Sequence, residues 1–176
     1  TPLAAQTAAT RNALEAGGFT VAGEYAPLDN ARVIVVTSDA LLAVAAQSPR
    51  GGYAAGQRVS VSERDGKTEV AFVNPLYIQH AYRLAGDMQP VYDRLTAALG
   101  AVDTVGTEDG MSAKKLAKYH YKPLMEKFDD TYELGRFDSH EAAVAAVEEG
   151  LARDGDALTQ VYRIDVPDTD EVVIGI

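Results

Sequence analysis

The sequence predicts a mixed α+β fold with mainly antiparallel sheet, a two-layer module built from two β-α-β-β units. Three observations carry this. Val33-Ile34-Val35-Val36 is an unbroken β-branched run, the pattern of a strand buried on both faces. Gln57 to Glu63 and Thr68 to Val73 alternate apolar and polar residues around Asp65-Gly66, a strong hairpin turn. The order strand, capped Ala-rich helix, strand, short turn with Asp, strand then occurs twice, at a spacing of about a hundred residues.

The elements follow in order. Thr7 to Ala16 favours helix, and Gly17-Gly18 stops it. Phe19 to Tyr25 sets Phe19, Val21, Gly23 and Tyr25 on one side of a strand, and Pro27 to Asn30 turns the chain. Ala31 to Val36 is the central strand. Ser38 or Asp39 caps a helix to about Gln47, broken by Ser48-Pro49-Arg50-Gly51-Gly52. After the hairpin, Asn74-Pro75 reads as an N-cap with proline at the first helical position of a helix to about Ala85. Pro90 to Leu99 is a further helix ended by Gly100.

Ala101 to Gly110 is an acidic, glycine-containing loop. It divides a first unit, residues 1–100, from a second, residues 101–176, which pack as one globular domain. Ser112 caps a helix to about Tyr121, and Lys122-Pro123 breaks it. Thr131 to Phe137 alternates as a strand. Asp138-Ser139-His140-Glu141 resembles a capping box opening a helix to about Ala152. Thr159 to Val166 and Glu171 to Ile176 are the last strands, joined by the turn Pro167 to Asp170.

Composition excludes several functions. At 47% hydrophobic and 24% charged, the 176-residue chain has enough apolar material for a core and is not disordered. A net charge of −10 repels phosphate backbones, so nucleic acid is not an expected partner. The absence of Cys removes disulfides, thiolate metal sites and cysteine nucleophiles. No apolar run reaches the ~18 residues of a membrane span. The opening Thr1-Pro2-Leu3-Ala4-Ala5-Gln6 suits the start of a mature exported chain, and a periplasmic or exported location stands level with a cytoplasmic one.

Leu14-Glu15-Ala16-Gly17-Gly18-Phe19-Thr20-Val21, the apolar strand after it, Arg58-Val59-Ser60-Val61 with its acidic-Gly hairpin, and Val73-Asn74-Pro75 are fold-forming motifs. In these motifs the first hundred or so residues resemble the DUF302-like bacterial domains of unknown function. The resemblance implies a compact two-layer module, often self-associating, with no assigned reaction and no catalytic residues to carry over.

Met111 to Asp130 concentrates the chemistry, with two of the three Met and one of the three His beside a Tyr-His-Tyr triplet. Tyr119, His120, Tyr121 and Met125 form the first candidate ligand site. Imidazole and thioether together suit copper or haem iron, which makes His120 and Met125 the candidate metal ligands. The alternative is a linker packed through Tyr119, Leu116, Leu124 and Phe128. His80 and Tyr82 are candidate lining residues on one helix, and His140 reads as surface beside a cap. The second candidate is the glycine-rich stretch Ser48 to Arg58, whose backbone N–H groups can approach an anion while Arg50 or Arg58 clamps a carboxylate or phosphate. It lacks the Lys-Ser/Thr of a phosphate-binding P-loop.

The expectation is a small-ligand or cofactor-binding module without catalysis, its pocket between the two units, with haem or copper as candidate cofactors. A structural module that self-associates as a homodimer, and an enzyme using His120 as base beside Asp129 or Asp130, are the alternatives.

Overall fold

The computed structural model describes residues 2–106, 109–153 and 158–176. Its elements are mixed α and β. The helices are α1 (Leu3–Ala16), α2 (Asp39–Ala45), α3 (Pro75–Ala81), α4 (Gln89–Leu99), α5 (Ala113–Leu116) and α6 (His140–Arg153). The strands are β1 (Thr20–Leu28), β2 (Ala31–Thr37), β3 (Gln57–Arg64), β4 (Lys67–Phe72), β5 (Tyr162–Val166) and β6 (Glu171–Gly175). A 3₁₀ turn, Gly51–Ala54, precedes β3.

β1-β2-β3-β4 form one antiparallel sheet in sequence order, and β5-β6 form a separate antiparallel hairpin. At the β3–β4 turn Asp65 and Gly66 both have positive φ, 52° and 72°. That is the backbone a tight two-residue hairpin requires, and glycine adopts it without steric cost.

Antiparallel partners share a face, so the register sorts the sheet residues. Ile34 pairs with Val59, which pairs with Phe72, and Val61 pairs with Val70. α1 and α4 pack on each other, and α1 lies against β2, β3 and β4. Leu14, Phe19, Val91 and Leu95 therefore share a core with Ile34, Val36 and Val59.

The second face carries Val33 and Val35, at 9% and 0% exposed. The β5–β6 hairpin covers it. A Cβ placed on Gly56 would meet Ile164 Cδ1 at 3.1 Å and Val35 Cγ1 at 3.5 Å, so Ile164 sits directly over that face. A Cβ on Gly23 would run into the Val161 carbonyl oxygen, so the missing side chain is what lets the approach to β5 pass close to β1. Coverage from both sides is the reason Val33-Ile34-Val35-Val36 carries no polar residue. Ile164 and Val166 join the same core cluster as Leu14 and Ile34.

The caps form as the sequence indicates. Ser38 Oγ accepts from Leu41 N at 3.3 Å, Asn74 Oδ1 from Leu76 N at 2.9 Å, and Ser139 Oγ from Ala142 N at 3.1 Å. Gly100 ends α4 in the left-handed region.

Three elements depart from expectation. Residues 131–137 form no strand, so the second unit lacks its first β element. Among the described residues the stretch pairs with no strand; Arg136 turns back on Glu133, and Tyr132 and Leu134 are 78% and 99% exposed. α5 ends at Leu116 instead of running to Tyr121. Leu116 is its one buried residue, and the weak helix formers Tyr119, His120 and Tyr121 lead into the Pro123 break. α3 ends at Ala81, before Ala85, because Arg83 takes φ 54° and turns Leu84 and Met88 into the core.

Candidate functional site

On the sheet face opposite α1 and α4, a cleft of about 660 Å³ opens between the start of β3 and the β5–β6 hairpin. That is the size range of small-molecule sites. Gly52, Tyr53, Gly56 and Arg58 line one side, Tyr162 and Val172 to Ile174 another. α3 contributes Ile78 and the residue after it, Tyr82, and the first two turns of α6 contribute His140, Ala143, Val144 and Val147.

The hairpin is fastened to the 3₁₀ turn by an internal anion. Arg50 N and Gly52 N both donate to the Glu171 carboxylate, the latter at 2.9 Å. Arg50 makes this possible by adopting φ 60°, which turns its own N–H and that of Gly52 toward one point while the Gly51 N–H between them donates to the Ser48 carbonyl. The glycine-rich stretch does present backbone N–H groups to an anion, and that anion is the chain's own β6 carboxylate.

Both arginines of that stretch reach the cleft. Arg58 alternates onto the second face of β3, and its Nη2 donates to Tyr162 Oη at 3.3 Å. Arg50 Nη1 donates to Thr131 Oγ1 at 3.1 Å. Among the described residues neither forms an ion pair, whereas Arg11, Arg83, Arg136 and Arg163 each hold a carboxylate.

An aromatic row forms the rim. Tyr53 and Tyr82 stack with ring centroids 4.3 Å apart. Phe128 touches Tyr82 at 6.2 Å, Tyr77 edge-on at 5.9 Å and Tyr119 at 6.0 Å. Burial raises the Tyr82 phenol above its ordinary value, with Tyr53 and Tyr77 adding to the rise. A phenol O–H at this place can donate a hydrogen bond into the cleft.

Next to Phe128, Asp129 pairs with Arg83, and that hydrogen bond holds the Asp129 carboxyl below the usual range. Residues 128–131 thus make a strap from α3 across to Arg50. His140 starts α6, and its Nε2 is buried with no hydrogen-bond partner among the described residues.

Arg50, Arg58 and Tyr82, which the sequence divides between two candidate sites, all line the cleft. Tyr119 joins it at one remove, through Phe128. His80 lies half-buried on α3, outside the lining. His120, Tyr121 and Met125 lie on the solvent-facing run after α5, with Tyr121 72% and Met125 47% exposed. Among the described residues no three His, Cys, Asp or Glu side chains converge as a metal site.

The sequence reading does not single out Tyr53 or Tyr162, and it takes Glu171 for a solvated turn carboxylate and His140 for cap surface. Glu171 left a trace in the sequence, as an acidic residue opening a strand. A place in a helix first turn suggests surface for His140 but does not show that the turn faces a cavity.

No protein-family model matches the chain. Comparison with curated proteins and with solved structures finds no match.

Proposed function

We propose that the protein is a non-catalytic module that binds a small organic ligand in the cleft between the sheet and the β5–β6 hairpin. The observation that carries this is the cleft's lining. Apolar walls from Ile78, Val144 and Val173 surround a few convergent polar groups that the chain leaves without strong partners: the Arg58 guanidinium, the Tyr82 phenol and His140 Nε2. The compact sheet with its acidic-Gly hairpin also suits a DUF302-like first half, which belongs to the same reading.

The test is a heat-denaturation screen against small organic compounds, with native mass spectrometry on the purified protein. A ligand of the folded state raises Tm by mass action. A compound that raises Tm in the wild type and loses that effect in Ala143→Trp, with far-UV circular dichroism unchanged, supports the cleft. Hits that all persist in Ala143→Trp would place binding elsewhere and end this reading.

One observation favours a second reading, self-association. Leu124, Tyr132 and Leu134 are 104%, 78% and 99% exposed within one short stretch, the kind of apolar surface that a second copy can cover.

A further inference from the structure

We infer that the cleft selects an amphipathic anion, a carboxylate group on an apolar body, with Arg58 as the residue that holds the carboxylate. This inference rests on the cleft being the binding site and adds the charge class of the ligand.

Two features favour negative charge, and a third places an unpartnered polar atom beside them. Arg58 sits on a strand, beside Tyr82 and Tyr162, and among the described residues its side chain hydrogen-bonds a neutral hydroxyl and no carboxylate. A guanidinium fork in that state is free to take a carboxylate bidentately. α6 begins at the cleft with His140 and runs 14 residues, so the positive end of its dipole lies at the same place. His140 Nε2 is a buried nitrogen that a ligand oxygen or hydroxyl would satisfy. Of the two carboxylates in the lining, Glu171 is consumed by the Arg50 and Gly52 backbone N–H groups, and Asp170, at the β5–β6 turn, is exposed to solvent, which screens its charge.

The apolar body follows from the remaining lining. Ile78, Val144, Val147 and Val173 offer no hydrogen-bonding side chain, and Tyr53 and Tyr82 present ring surface. A fully hydrated small anion such as inorganic phosphate would leave these walls uncovered.

The experiment follows displacement of the fluorescent anion 1-anilinonaphthalene-8-sulfonate by three probes with the same chain and different heads: octanoate, octanol and octylammonium. Octanoate is expected to displace the dye at a concentration about tenfold below the other two, the size of one charge-assisted hydrogen-bonded contact. Arg58→Gln should remove that advantage while leaving octanol unchanged, and Arg64→Gln, outside the cleft, should leave all three unchanged. Octanol or octylammonium matching octanoate in the wild type would overturn the anion class and leave the cleft standing. Dye binding that ignores all three probes and also survives Ala143→Trp would overturn the cleft itself, and the class with it.

Discussion

At the scale of single residues, charge pairing separates what fastens the strap from what faces the cleft. Arg83 and Asp129 are committed to each other. Arg58 is not committed to any carboxylate among the described residues, although it lies on the same side of the molecule. The Asp129 carboxyl is held below its ordinary value of 3.8 by the Arg83 hydrogen bond. A group depressed in the folded state stabilises fully above its ordinary value, and that contribution is lost as pH falls through the folded one. Asp129→Asn should therefore lower the urea midpoint near neutral pH, with the gap from wild type closing as pH drops below about 4. Parallel urea titrations of both proteins across that range would check this. A gap of constant size would assign the loss to packing at position 129 instead of to charge.

At the scale of elements, caps and turns were the most legible features. Ser38, Asn74, Gly100 and Asp65-Gly66 act through their own backbone neighbourhood, so a local pattern suffices to place them. The stretch 131–137 shows the limit of that reasoning. Its alternation is that of a strand, but a strand needs a neighbouring edge, and alternation cannot say whether one stands there. What remains is a run with Tyr132 and Leu134 in solvent. If a second copy covers it, sedimentation equilibrium should show association that strengthens with concentration and weakens in Leu134→Lys. Because Leu134 makes no buried contact within one chain, the same change should alter monomer stability by less than about 0.5 kcal/mol. A sedimenting species of constant monomer mass at every concentration would remove the self-association reading.

At the scale of the whole molecule, the halves divided by residues 101–110 share one core. Ile164 and Val166 cluster with Leu14, Ile34 and Leu95. Unfolding followed by circular dichroism and by tyrosine fluorescence should give one coincident transition. Ile164→Ala should lower stability by about 2–5 kcal/mol, the cost of a buried aliphatic truncation, and should do so for both probes together. Two separated transitions would show the halves to be independent.

The candidate site was legible in part for a related reason. Arg50 and Arg58 stand in a glycine-rich stretch that announces itself locally. Tyr162, Glu171 and His140 reach the cleft only through the way the hairpin and α6 fold back over the sheet, which no local pattern encodes. The concentration of His, Met and Tyr around residue 120 was a signal of composition. Its exposed members, His120, Tyr121 and Met125, are spread along a segment that turns them to solvent.

The covering of Val35 by Ile164 also sets an order of events. The two positions lie roughly 130 residues apart, so closing that contact carries the loop entropy of a long chain segment and comes late in folding. While the chain is being synthesised, the meander and its helices are out of the ribosome well before the hairpin. Through that interval Val33 and Val35 stand uncovered on the second face of the sheet, open to chaperones and to neighbouring nascent chains. The cleft has no existence until these valines are covered, so a nascent chain interrupted before β5 would be adhesive and would lack the cleft.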